Sequence, residues 1–402
     1  MEHLECIFCH KPYPVNPFTT FCATCREPLL LPVSSSKKTI HFEKANSLNK
    51  FLDFLPLESI DPNLSLSQGS TPLIPLNNLM KKFNLPATFV KNETLNPTGS
   101  FKDRGTIVAV QKALELGISK IGTVSTGNMA SSTAAFGARA GLQTFVLVKE
   151  DTSPEKIVSI LVHNPHLLKV KGDYGELFFK SLELGKKHQI YFMNSVDPFR
   201  IEGYKITGFE IFLEFELTPP SPQYIIVPVS AGGHITGLMK AYIELQKQGF
   251  IQNIPTFIGV QAEGCSPITQ AFLSNKSKVE RIKKAQTIAH AISNPDPPGG
   301  NTVLKLLNEY GGQMIAVKDE EILTAQKMLA ESEGLFCLPA SATTLAALLK
   351  IKSQNSFSSE DRIVLVLTGS GLKALPRLDK ISATVHQAGI ENLDSAISTL
   401  IE

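Results

Sequence analysis

Asn96-Pro-Thr-Gly-Ser-Phe-Lys-Asp-Arg-Gly105 compresses a turn, a helix start and a lysine into one short stretch. Pro97 and Gly99 suit the turn, Ser100 suits a helix cap, and Lys102 falls in the first turn beyond it. The positive end of a helix dipole disfavours an ammonium group. A lysine that must attack a carbonyl gains from that placement, because its free amine is favoured there. Asp103 and Arg104, next along, read as a solvated or cleft-rim ion pair.

Outward from this stretch, short β-branched runs alternate with longer amphipathic segments. Strands are predicted at 87–90, 120–125, 143–148, 167–171, 223–229, 255–260, 313–317 and 362–367. Helices are predicted at 101–116, 129–140, 154–163, 174–187, 201–216, 235–248, 319–333 and 342–350. Such alternation implies crossover connections and parallel sheets. The body beyond the first fifty residues is too large for one sheet core, so the expected fold is α/β, with two lobes of mainly parallel sheet flanking a central cleft. Ligands of such sheets collect where strands end and helices begin. Three further junctions have matching composition. Ser125-Thr-Gly-Asn128 offers hydroxyls, an amide and helix-start N–H groups, a cradle for a carboxylate or simply a capped helix. Ser230-Ala-Gly-Gly-His234 is small enough to wrap an anion with backbone N–H groups, yet it matches neither common nucleotide fingerprint. Thr368-Gly-Ser-Gly371, taken singly, is a tight turn. Asn294-Pro-Asp-Pro-Pro-Gly-Gly300 reads as a rigid loop.

The chain has 402 residues, 43% of them hydrophobic and 19% charged, with a net charge of +2. That balance is globular and gives no bulk attraction to nucleic acid or to an anionic membrane. No apolar run reaches the roughly 18 residues of a spanning helix, and the N-terminus lacks a secretory pattern. A cytoplasmic enzyme is the expectation. Of six cysteines, four fall at Cys6, Cys9, Cys22 and Cys25. Two C-x-x-C knuckles at this spacing suit a structural zinc ribbon that leaves no open coordination position. Disulfides are disfavoured by a reducing compartment. Cys265 and Cys337, each alone among apolar neighbours, read as small buried hydrophobes. Lys11 and Arg26 are too little positive charge for a nucleic-acid surface.

The segment 96–105 does not stand alone. Gly69-Ser-Thr-Pro-Leu73, Ser125-Thr-Gly-Asn128, Asn194-Ser-Val-Asp-Pro-Phe-Arg-Ile-Glu-Gly203, Gln261-Ala-Glu-Gly264, Pro339-Ala-Ser-Ala342 and Leu367-Thr-Gly369 accompany it in a consistent order. Together they resemble the fold-type II family of pyridoxal-phosphate-dependent enzymes, and within it the threonine synthase family, over roughly residues 65 to 375. The resemblance implies a tryptophan-synthase-β-like fold with the cofactor in the central cleft. It also implies a zinc-ribbon segment at 1–33, a connector at 34–68, a large cofactor-binding lobe from 69–110 and 205–402, and a small lobe at 111–204. A homodimer is expected from the family.

By the same resemblance Lys102 binds the cofactor covalently and shuttles protons, and Asn128 meets the cofactor's phenolic oxygen. Ser230, Ala231, Gly232, Gly233 and His234 hold its phosphate, and Thr368 faces its ring nitrogen. Ser125, Thr126 and Asn128 grip the substrate carboxylate, while Asn194, Ser195 and Arg200 receive a substrate phosphate. The implied reaction turns O-phospho-L-homoserine and water into L-threonine and phosphate. Met129, Asp197, Tyr204 and the loop residues Ser230, Ala231 and His234 depart from the usual pattern. Met129 in particular leaves open a cysteate-synthase-like enzyme acting on O-phosphoserine, or an ammonia-lyase. A non-catalytic binding protein is the reading from a different class.

Overall fold

The computed structural model describes residues 3–34, 36–44, 46–354, 357–375 and 385–401; Ser35 of the polar connector lies outside them. The cysteine knuckles sit on a small antiparallel sheet of β1 (His3–Cys6), β2 (Pro12–Pro14) and β3 (Leu29–Leu30), in the order β2-β1-β3. The connector holds only the short helix α1 (Ser47–Lys50).

Two larger sheets follow. The first contains β4 (Leu73–Pro75), β5 (Ala87–Asn92), β10 (Tyr224–Pro228), β11 (Thr256–Ala262), β12 (Gln313–Val317) and β13 (Arg362–Leu367). Its order is β12-β11-β10-β13-β5-β4, parallel throughout except for β4. The second contains β6 (Lys120–Val124), β7 (Gln143–Lys149), β8 (His166–Val170) and β9 (Tyr191–Phe192), all parallel in the order β8-β7-β6-β9. Central strands covered on both faces need uninterrupted apolar sequence, and Ile225–Val227 and Ile363–Leu367 supply it, each residue fully buried. The edge strand β8 is mostly exposed and mixes Lys169 and His166 with leucines.

Helices cover both sheets: α2 (Asn77–Phe83), α3 (Lys102–Glu115), α4 (Asn128–Arg139), α5 (Pro154–Leu161), α6 (Tyr174–His188), α7 (Pro198–Leu217), α8 (Gly233–Lys247), α9 (Pro267–Leu273), α10 (Gly300–Glu309), α11 (Asp319–Glu333) and α12 (Pro339–Lys352); α13 (Leu393–Ile401) ends the described chain. Two helices start earlier than their periodicity predicts. Pro198 and Pro339 occupy first turns, where a missing N–H costs nothing. Asp197 caps α7 by accepting from the backbone N–H groups of Phe199 and Arg200. The pattern did not announce α2, α9 or α10, because they are short and α10 opens on Gly300.

α7 is buried on nearly every side although it carries Glu202, Lys205 and Glu210. Their charges are paired: Lys205 Nζ contacts Glu202 at 2.6 Å and Glu244 at 2.9 Å, and donates to Phe54 O at 2.6 Å. Lys240 of α8 pairs with Glu202 and donates to Leu31 O at 2.6 Å, tying the end of the cysteine segment to the catalytic body. Among the described residues no helix is long and apolar enough to cross a membrane.

Candidate active site

Strand order places the site. In the six-stranded sheet the order reverses between β10 and β13, and such a switch point opens a crevice at the strands' C-terminal ends. Ser230–His234 leaves β10 there, Thr368–Gly371 leaves β13, and the lysine segment follows β5. The four-stranded sheet contributes Ser125–Asn128 after β6 and Asn194–Arg200 after β9.

The lysine segment is braced by buried charge. Arg104 is 1% exposed and meets two carboxylates, Glu93 at 2.5 Å from Nε and Glu210 at 2.7 Å from Nη1. Lys91 adds a second cation 2.7 Å from Glu210, and Thr71 Oγ1 donates to Glu93. The opposed charges hold the Arg104 guanidinium above and the Glu210 carboxyl well below their ordinary ranges, despite the opposing effect of burial. Asn96 accepts from Gly69 N–H and donates to Glu93 Oε2, joining the Gly69–Leu73 motif to this network. The expected rim ion pair between Asp103 and Arg104 is therefore absent. Asp103 is fully buried and accepts from Thr98 N–H at 2.7 Å and Thr98 Oγ1 at 2.6 Å, closing the turn before the helix. Glu93 and Glu210 were invisible as partners because α3 and α7 meet only in the folded chain.

Lys102, at the start of α3, keeps intermediate exposure. Its Nζ lies 4.3 Å from the Phe101 ring centre and 5.6 Å from that of Tyr204, with no ion pair or hydrogen bond among the described residues. Burial, and then the positive charge of Arg200, pulls its amine down to about 7. A free amine is thus abundant at neutral pH.

Opposite stands the start of α8. None of the backbone N–H groups from Ala231 to Ile235 has a hydrogen-bond partner among the described residues. Gly232 has φ +98°, and a Cβ there would lie 2.8 Å from Gly299 O; one on Gly233 would lie 2.3 Å from Ser195 O. The nest is consequently closed to side chains and open only to a ligand. The segment read from sequence as a rigid loop forms its back wall, with Gly299 N–H donating to Ala231 O at 2.9 Å. The Pro-Pro-Gly-Gly run was the available signal. Thr368 is 7% exposed and shares a hydrogen bond of 3.0 Å with Ser341, a partner the Pro339–Ala342 motif contained without a stated role. Phe101 N–H donates to Thr368 O, and Ser370 N–H donates to Gly99 O, so the lysine segment and the Thr368 loop are stitched together.

From the four-stranded side, Ser125, Thr126 and Asn128 are half-buried and Gly127 is exposed. A Cβ on Gly369 would lie 3.2 Å from Asn128 Nδ2, so the start of α4 closes onto the Thr368 loop. Met129, behind it, is 5% exposed. Ser195 is half-buried. Asn194 is fully buried, its amide accepting from Val124 N–H at 2.9 Å and donating to Ser181 at 3.1 Å; the structure does not bring this amide to the cleft. Arg200 is also fully buried, donating to Met193 O, Thr106 and Thr133 at 2.6–2.7 Å. It has no carboxylate within ion-pair distance among the described residues, an uncompensated cation close enough to depress the amine of Lys102. Away from the cleft, one ligand atom from each of Cys6, Cys9, Cys22 and Cys25 lies within 4.8 Å of all the others. The Cys22 sulfur also receives Tyr13 OH at 3.2 Å and Cys25 N–H at 3.3 Å. Cys265 and Cys337 are buried.

A family model described as pyridoxal-phosphate dependent enzyme matches residues 64–369. A threonine synthase of Methanocaldococcus jannaschii is 37% identical over 376 residues, 92% of each chain. One of Methanosarcina acetivorans is 34% identical over 406 residues, 99% of each chain. The chain belongs to the threonine synthase family of pyridoxal-phosphate-dependent enzymes. Two solved structures share the fold: a threonine deaminase from Rhizomucor-unrelated T.th., with a TM-score of 0.62 at 22% identity, and a serine racemase from Dictyostelium discoideum, with 0.63 at 23%. Each covers 75% of this chain and 92% of its own. The donor set fits the family's cofactor: an unpaired amine for an aldehyde, an empty glycine-walled N–H nest for a phosphate, and a neutral hydroxyl between them.

Proposed function

We propose that the chain makes L-threonine from O-phospho-L-homoserine and water, releasing phosphate. One observation carries the reading. The unpaired Lys102 amine and the empty α8 nest face one crevice, in a chain 34–37% identical to threonine synthases over nearly its whole length. Lys102 would hold the cofactor covalently, Ala231 to Ile235 its phosphate, Thr368 its ring nitrogen and Asn128 its phenolic oxygen. When bound, the cofactor supplies the electron sink for carbanions at the substrate's α- and β-carbons.

The chain supplies the rest. The amine of Lys102, free at neutral pH, accepts the α-proton and returns protons along the substrate chain. The Thr368 hydroxyl, held by Ser341, is neutral and does not keep the ring nitrogen protonated. That tempers the sink and suits elimination and replacement over amino-group transfer. Ser125, Thr126 and Asn128 orient the substrate carboxylate at the start of α4. Arg200, lacking a carboxylate partner, with Asn194 and Ser195 around it, draws in the substrate's phosphate.

The knuckles are assigned to structural Zn2+. Thiolates about 2.3 Å from one tetrahedral ion stand about 3.8 Å apart, and Cys9 Sγ and Cys22 Sγ stand 3.7 Å apart. A reducing cytoplasm keeps such thiols available. The test is product analysis of purified protein given O-phospho-L-homoserine, with threonine and phosphate expected in equal amounts. Cysteate from O-phosphoserine and sulfite, with no threonine from phosphohomoserine, would overturn the reading.

A further inference from the structure

His234 stands in the nest with its polar atoms unmet. It is the second residue of α8, 7% exposed, and both ring nitrogens are buried without a hydrogen-bond partner among the described residues. Leaving a buried donor and acceptor unmet costs about 1–3 kcal/mol each. The ring is not loose. It stacks on Phe101, with centroids 3.8 Å apart and planes 24° apart, and meets Tyr204 edge-on at 5.6 Å. Phe101 immediately precedes Lys102, so the imidazole is pinned between the reactive amine's segment and the unpaired N–H groups of α8. A side chain fixed in this way at a helix start is arranged for a ligand that the nest also serves.

We propose that the His234 imidazole is a neutral N–H donor to a phosphate seated on the N-terminus of α8, acting beside the backbone N–H groups. This rests on the reading that the nest holds a phosphate, and adds a side-chain contact to it. Burial, together with the charges of Lys102 and Arg104, holds the imidazole's pKa well below its ordinary value, so the ring carries one donor nitrogen and no charge at working pH. A charged imidazole would compete with Lys102 for electrostatic tolerance in the same enclosure; a neutral one donates without raising that cost. Backbone groups alone would make residue 234 replaceable by any side chain, whereas a side-chain donor makes the choice specific.

The experiment compares His234→Phe, which keeps the stack and loses the donor, with His234→Asn, which restores an amide donor. Pyridoxal phosphate affinity is followed by absorption, and the thermal midpoint is recorded on the unloaded chain. For His234→Phe the expected result is an opposed pair of effects: about tenfold weaker cofactor binding, and an unloaded midpoint equal to or above wild type because two unmet polar atoms are gone. His234→Asn is expected within about threefold of wild type in affinity. If cofactor affinity holds but the loaded Phe variant binds inorganic phosphate, a competitor of phosphohomoserine, about tenfold more weakly, the donor serves the substrate's phosphate and the proposal stands. A Phe variant equal to wild type in both bindings overturns it. So does one whose unloaded chain is destabilised with Asn giving no rescue, which marks a packing residue. A wild-type chain that takes up no pyridoxal phosphate sinks the proposed function as well, which separates the two failures.

Discussion

Two helix starts face the same crevice and are built in opposite ways. At α8 the backbone is walled in: a methyl on Gly233 would strike Ser195 O at 2.3 Å, and Gly232 is pressed against Gly299. At α4, a methyl on Gly127 would meet nothing within 4 Å, and that glycine is exposed. The first end sits on the six-stranded sheet beside the buried Arg104 network; the second sits on the smaller sheet, whose edge strand is mostly exposed. A cofactor that stays through every turnover is best served by a nest that cannot relax. A substrate that enters and leaves needs the opposite, a start of helix with room to shift.

The comparison is broken most decisively at Lys102, which serves both sides. Lys102→Ala should abolish the yellow colour of the loaded protein and lower phosphate release on the order of 10^4-fold or more, read by absorption and by phosphate assay. Retained turnover would remove the amine from the chemistry. Next in size is the bracing of the rigid side. Arg104→Met leaves Glu93 and Glu210 buried and short of a partner, and urea unfolding should show a loss of about 3–5 kcal/mol. A loss below about 1 kcal/mol would mean that surface-like pairing, not a buried network, holds the lysine segment.

Gly233→Ala should weaken cofactor binding by about tenfold or more, or prevent folding, because the obstacle is backbone and cannot swing aside. A smaller effect is expected in pH. Uptake of pyridoxal phosphate needs the free amine of Lys102, so its rate should rise with pH through about 7 and level off above it, far below the range of an ordinary lysine. Removing the neighbouring cation, as in Arg200→Met, should move that midpoint upward, since a positive charge disfavours the ammonium form. A downward shift would contradict the stated role of Arg200. The least effect belongs to the open side: Gly127→Ala should leave cofactor affinity within about twofold of wild type, and a larger loss would erase the contrast between the two helix starts.

Much of this contrast was readable before folding was considered. The strands at 313–317 and 362–367 and the helix at 319–333 fall where the periodicity places them, because periodicity is a local property. Lys102, the 230–234 loop and the cysteine knuckles announce themselves by composition at short spacing. What escaped involves residues far apart in the chain. Arg104 looked like half of a pair with its neighbour Asp103, and instead reaches Glu210, more than a hundred positions away. Asn194 looked like a ligand group and is taken up by Val124 and Ser181. The Pro-Pro-Gly-Gly stretch looked like a stiff loop and became the wall of the nest.

From its letters alone the chain declared an α/β body with a nucleophilic lysine, small-residue anion loops and a four-cysteine knuckle, since turn chemistry, alternation and ligand spacing act over a few residues. Folding alone decided which charges would be buried together, which glycines would have no room for a methyl, and that His234 would be pinned against Phe101 with its nitrogens unmet. Those outcomes depend on how strands are ordered and helices cross, and no stretch of sequence carries the distances that result.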